Sequence, residues 1–254
     1  MRKIAAVVLN TFREAIRDKV FITIIVFSII IMGSGRIVKP LALGEEGKVI
    51  KDIGLNSITF FSVLIGILVG GRLVYKEIEK KTIYLVISRP IHRWQFIVGK
   101  HFGLLLVLFE SLLIMTGAFY VILFLLKIQA NFYLLLSILM TFFQLWIITA
   151  IAILLSTFTT PITSAIFAFA LYFIGHLTGD LKALAAMSKS VQVKFVCNAL
   201  YYVLPNLSNF DIKNQVVHNV IIEPNVIFFA IGYAIVYSAV IIFIASLIFQ
   251  RKDF

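Results

Sequence analysis

The chain has 254 residues, 61% hydrophobic and 14% charged, with a mean hydropathy of +1.04 and a net charge of +11. A soluble domain is nearer half apolar and a quarter charged, so this composition excludes one and points to an integral membrane protein. The cations gather beside hydrophobic runs, as in cytoplasmic loops, which argues against nucleic acid as their target, and the single cysteine, Cys197, excludes an intrachain disulfide.

Residues 1–19 (MRKIAAVVLNTFREAIRDK) lack the apolar length and the cleavage pattern of a signal peptide. On a helix, Ala5, Val8, Leu9, Phe12, Ala15 and Ile16 share one face, while Asn10, Arg13, Glu14 and Arg17 share the other. That division suits a helix lying in the headgroup region. The plainer reading is a polar extension of the first span.

Val20–Gly35 reads as a short first span, completed by snorkelling of Arg36. A polar loop follows, with a turn at Gly44-Glu45-Glu46-Gly47. Leu55–Tyr75 is the second span, and its Gly66-x-x-x-Gly70 lets another helix approach closely, within this chain or in a second copy. Phe102–Leu126, Phe132–Leu155 and Ile162–Leu177 are the third to fifth spans. Thr159 or Thr160 is expected to cap the fifth, with Pro161 at its first helical position. In the long loop 179–224, Leu181–Val203 reads as one amphipathic helix on the outer face, broken by Leu204-Pro205-Asn206-Leu207-Ser208-Asn209. Asn225–Phe249 is the sixth span. The expected fold is therefore an all-α membrane protein, with an interfacial helix over 1–19 and a six-span domain over 20–254.

Six spans put both termini on one side. The N-terminal helix, residues 72–100 and the C-terminal tail hold 14 of the 23 lysines and arginines, which predicts that these parts are cytoplasmic. The polar stretch Tyr75–Lys100 is the most patterned of them. Over Glu77–Ile87, a helix would turn Ile83, Tyr84 and Ile87 toward the membrane or a partner and leave Glu77, Lys80 and Lys81 exposed. Pro90 disfavours helix at Arg89 and starts a second helix that runs into the third span. The stretch reads either as a lever arm bounded by a proline break or as a solvated charged loop.

Glu77, Glu79, Thr82, Leu85, Ser88, Pro90, Arg93, Gly99 and Lys100 resemble the pattern of the permeases of the ABC-2 family of ATP-binding-cassette transporters. That pattern is an acidic pair, a threonine, a short apolar run, Ser-x-Pro, an arginine and a closing Gly-Lys. Lys81 departs from it, where the broader family often has glycine. Asn10-Thr11-Phe12-Arg13-Glu14-Ala15 and Leu204-Pro205-Asn206-Leu207 are similar to the subgroup named for multi-copper-enzyme maturation. The resemblance implies an elbow helix carrying Arg13, Glu14 and Arg17. It implies a coupling helix at about Glu77–Ile87, within loop 76–100, with those nine residues at the contact with an ATPase subunit. It further implies a homodimer of permeases in the inner (plasma) membrane, export, and an outer segment gating the exit. The chain has no G-x-x-x-x-G-K-[ST] loop, so it is expected to be no enzyme and to bind no cofactor. ATP and Mg then belong to the partner.

Glu110 is the one acidic residue well inside a span, where a charge costs several kcal/mol by insertion scales. It reads either as a substrate or proton-coupling site, or as a structural group protonated or paired with Arg72. The first reading supports an alternative function, a stand-alone proton-coupled carrier or membrane scaffold. His92, His101, His176 and His218 show no metal-ligand spacing, so no metal site is expected. Asn206-Leu207-Ser208 fits a glycosylation triplet, a pattern common by chance.

Overall fold

A computed structural model describes residues 2–38, 45–79, 92–188, 190–218, 220 and 222–251. Every regular element among them is helical: α1 (Arg2–Ile16), α2 (Lys19–Val38), α3 (Glu46–Glu79), α4 (Arg93–Leu125), α5 (Phe132–Ser156), α6 (Pro161–His176), α7 (Thr178–Met187), α8 (Val191–Val203), a 3-10 turn at Ser208–Phe210, α9 (Lys213–Val217) and α10 (Pro224–Gln250).

The ends of the helices follow local chemistry. The Asp18 carboxylate accepts from the Val20 backbone N–H and so caps the start of α2. Asn131 caps α5 through Tyr133 N–H. Thr160 caps α6 with Pro161 in its first turn, one of the two arrangements the sequence allowed. Between α4 and α5, Lys127 takes the left-handed conformation (φ 56°) that closes the tight turn.

Antiparallel packing sets the layout. Gly70 of α3 meets Leu104 of α4, and Gly66 meets Leu108, so α3 and α4 run in opposite directions. Gly66 also faces Thr149, and Gly70 faces Ala152, so α5 runs parallel to α3. The Thr59 and Thr141 hydroxyls meet at 3.3 Å across the same contact. On α10, Phe249 stacks on Phe96 at 5.8 Å, which sets α10 antiparallel to α4. On α6, Ser164 donates to the Ala152 carbonyl and His176 meets Gln144, so α6 returns along α5. The core between these helices is almost wholly Ile, Leu, Val, Phe and Ala. Apolar side chains such as Phe228, Phe229, Val236 and Phe243 of α10 stay exposed, as a lipid-facing surface requires.

One expectation is corrected. Leu181–Val203 is not one helix: Ser188 and Ser190 take extended backbone conformations, and the segment folds as α7 and α8. Among the described residues, length and composition mark four or five candidate spans. The helices α3, α4, α5 and α10 are each long and apolar enough to cross a membrane. The pair α6 and α7, bent by 49°, would give a fifth, while Lys19–Gly35 of α2 is shorter. At 34 and 33 residues, α3 and α4 measure about 50 Å, longer than the roughly 30 Å of hydrocarbon. Both therefore project beyond it.

Candidate functional site

One end of the bundle gathers α1, the last turns of α3, the first turns of α4 and the last turn of α10. Three successive residues of α4 serve three different contacts there, because each helical step turns the side chain by about 100°.

Gly99 faces α1. A Cβ at Gly99 would lie 2.7 Å from the Val7 Cβ, and one at Gly103 would lie 2.6 Å from the Thr11 Cβ and 3.0 Å from the Val8 carbonyl oxygen. The two glycines form a track that seats α1 against α4. Val7, Thr11 and Ala15 are buried in that contact, while Leu9, on the next stripe, is half exposed. The N-terminal helix is thus packed along α4 and is more than a surface float. The sequence showed this spacing twice, at Gly66/Gly70 and at Gly99/Gly103, and only the first was read as packing. Gly66 and Gly70 are used up inside the chain, against α4 and α5, so neither presents a face to a second copy.

Lys100 turns inward. It is 1% exposed, its Nζ lies 3.9 Å from Glu14 Oε2 and 5.6 Å from the centre of the Phe96 ring. Glu14 is therefore not on the solvent face with Arg13 and Arg17, which are exposed. Gly99 and Lys100 lie beneath α1, so direct contact with another subunit is closed to them.

Removing Glu14 strands a fully buried ammonium, whereas removing Lys100 leaves a carboxylate that water still reaches. Glu14 retains 30% exposure. Glu14→Ala is thus expected to cost about 2 kcal/mol and Lys100→Met less than about 1 kcal/mol. Thermal unfolding of both variants in one detergent tests the asymmetry, and equal losses would refute it.

His101 turns to α5. Its Nδ1 is 3.5 Å from Thr149 Oγ1, and its Nε2 is buried without a hydrogen-bond partner among the described residues.

Arg93, at the start of α4, donates through Nη1 to the backbone carbonyls of Phe249 (3.4 Å) and Gln250 (2.9 Å). These belong to the last turn of α10, where the helix leaves acceptors unsatisfied and a cation is favoured. Arg93, with the Phe96 ring stacked on Phe249, ties the start of α4 to the last helix. Arg72, half exposed near the end of α3, reaches Asp18 at 3.6 Å. It is not the partner of Glu110, whose Oε2 is buried with no hydrogen-bond partner among the described residues. The expected Arg72–Glu110 pair is absent because Arg72 is taken by the α1–α2 junction.

Glu77 and Glu79 fall on the last turns of α3. Thr82, Leu85, Ser88 and Pro90, with the rest of the expected coupling helix, lie outside the described residues. Among the described residues no three His, Cys, Asp or Glu side chains converge as a metal site.

The opposite end is built around Asn206. Its Oδ1 accepts from Ser208 Oγ (2.7 Å) and Thr178 Oγ1 (3.0 Å), and its Nδ2 donates to the Tyr201 hydroxyl (3.4 Å). Its backbone N–H donates to the Tyr233 hydroxyl of α10, and Leu207 N–H donates to the Gly175 carbonyl of α6. A Cβ at Gly175 would lie 2.8 Å from the Pro205 carbonyl oxygen. At 9% exposure and with both amide atoms engaged, Asn206 does not present a glycosylation amide.

A comparison with curated proteins gives no match. The family described as ABC-2 family transporter protein matches residues 5–254. That match spans both ends just described and every long helix between them, so the chain belongs to the ABC-2 family of transporter proteins.

Proposed function

We propose that the chain is the membrane subunit of an ATP-driven exporter, with six helices crossing the inner (plasma) membrane and both termini in the cytoplasm. Two copies form the permease as a homodimer, and a separate ATPase subunit holds ATP and Mg. Family membership makes the chain a membrane permease component of an ATP-binding-cassette transporter, a class that works with an ATP-binding subunit. The six spans are α2, α3, α4, α5, the bent pair α6–α7, and α10. Their alternating directions support this count, because α1 and the end of α10 then fall on one side. That side also carries the larger share of lysine and arginine.

The observation that carries the reading is Arg93. It joins the start of α4 to the end of α10, so in this reading a push delivered through Glu77, Glu79, Thr82, Leu85, Ser88 or Pro90 that reaches α4 is passed on to the last helix. In this reading Arg93 transmits the stroke, and Gly99 and Lys100 hold α1 to the moving helix. ATP chemistry stays on the partner, since the sequence lacks a phosphate-cradling loop.

The test is purification of the tagged chain in mild detergent, with an ATPase assay on the eluate. The expected result is a co-purifying nucleotide-binding subunit. Arg93→Ala is expected to leave the complex assembled and lower transport-coupled turnover about tenfold, within the usual range for residues that carry coupling. Full turnover in that variant would defeat the assignment. A folded chain with no ATPase partner would favour the carrier or scaffold built on Glu110, the reading that its unpartnered carboxyl oxygen supports.

A further inference from the structure

Arg13, Glu14, Arg17, Asp18 and Lys19 crowd the junction of α1 and α2, and in sequence their charges nearly cancel. The fold separates them by sign. Glu14 lies 3.9 Å from the buried Lys100 ammonium. Asp18 accepts from Val20 N–H at 2.9 Å and meets Arg72 at 3.6 Å. Both carboxylates are thereby turned toward the protein. Arg13, Arg17 and Lys19 stay exposed, and none of them meets an acid among the described residues.

Around α1 the side chains fall into stripes, because each residue turns by about 100°. Val7, Thr11 and Ala15 are buried against α4. Beside them come Phe12 and Ile16, partly buried, and Leu9, half exposed. Next stand Arg13 and Arg17, one turn apart. The free side of α1 thus shows an apolar row and then a cationic row. That order suits the boundary of a bilayer, with acyl chains against the apolar row and phosphates against the cations. The place of α1 agrees. It packs on the first turns of α4, a helix of about 50 Å that projects beyond the roughly 30 Å of hydrocarbon.

We propose that Arg13, Arg17 and Lys19 form a binding surface for the headgroups of anionic phospholipids. A zwitterionic headgroup carries its own cation and gains little from three more. An acidic protein surface would match the cations but leave the apolar row beside them uncovered. The inference takes nothing from the ATPase reading, and it stands or falls on lipid alone.

The test is amide hydrogen exchange of the whole chain in nanodiscs, made either of phosphatidylcholine alone or of phosphatidylcholine mixed with phosphatidylglycerol. A cation beside an anionic leaflet is worth about fivefold in binding, so exchange through α1 is expected to slow about tenfold or more when phosphatidylglycerol is present. Exchange in α5 should not change. Salt at about 1 M, where the Debye length falls to about 3 Å, is expected to remove most of the difference. Arg13→Gln combined with Arg17→Gln is expected to remove it at low salt. Both side chains are exposed, and substitutions at such positions leave stability nearly unchanged. Equal exchange of α1 in the two lipids in the unaltered protein would overturn the proposal, and that comparison needs no variant to fold. Slowing shared by α1 and α5 would overturn it as well, since it reports the bilayer as a whole, and so would a phosphatidylglycerol effect that survives the double substitution. Protection of α1 in pure phosphatidylcholine by an added ATPase subunit, with no response to phosphatidylglycerol, would give the cationic row to that subunit and overturn the lipid assignment.

Discussion

Gly103→Ala is expected to destabilise the folded chain by about 2 kcal/mol, the usual cost of overpacking a filled contact. The same substitution at Gly117, fourteen positions along the same helix, is expected to gain about 0.5–1 kcal/mol. The chemistry is identical in the two cases and the surroundings differ. A Cβ at Gly103 meets the Thr11 Cβ at 2.6 Å, its Cγ2 at 2.8 Å and the Val8 carbonyl oxygen at 3.0 Å, whereas a Cβ at Gly117 meets nothing within 4 Å. One of the obstacles at Gly103 is backbone, so no rotamer change relieves it, and α1 must lift as a unit. Along with it go the burial of Val7, Thr11 and Ala15 and the approach of Glu14 to Lys100. Amide hydrogen exchange should therefore accelerate throughout α1 and leave α5 unchanged. Thermal unfolding in detergent supplies the magnitudes. A gain at both glycines would show that backbone entropy, and not the α1 contact, sets the outcome.

The case shows what the sequence could tell and where it stopped. Apolar runs mark a span because hydrocarbon thickness fixes their length, so the ends of α5, α6 and α10 fall within a residue or two of where the pattern put them. Proline and threonine chemistry is local, and so the cap at Thr160 was legible before any packing was known. Partner choice is not local. Gly66/Gly70 and Gly99/Gly103 have the same spacing, and nothing in it says that one pair lies under α5 and the other under α1. Glu14 sits among Arg13 and Arg17 in sequence, yet a buried ammonium draws it to the other side. Lys182 and Lys194 fit one amphipathic period through Leu181–Val203, which hid a break that no proline or glycine announces. His101 escaped notice because a lone histidine has no spacing to recognise. Only the packing shows that its Nδ1 meets Thr149 and that its Nε2 has no partner among the described residues.

Asn206→Ala is expected to cost about 2 kcal/mol and to loosen the whole segment between α6 and α10. The side chain stands where three parts of the fold meet. Thr178 begins α7, Ser208 begins the 3-10 turn, and Tyr201 lies on α8; each reaches the Asn206 amide. Truncation leaves the Ser208 hydroxyl without its acceptor, while Thr178 keeps only the Gly175 carbonyl at 2.9 Å. The backbone contacts to Tyr233 and Gly175 survive, so the segment should remain docked at α10 but open more often. A loss of about 2 kcal/mol raises the open population roughly thirtyfold. Lys182 and Lys194 are exposed on α7 and α8, which makes trypsin a direct probe, since cleavage through a fast local opening follows the open population. Cleavage at those two lysines should accelerate by that factor, with cutting at Arg13 and Arg17 unchanged. Uniform acceleration at both ends of the bundle would mean that Asn206 supports the fold as a whole. Acceleration confined to α7 and α8 would identify a unit that opens on its own against α10.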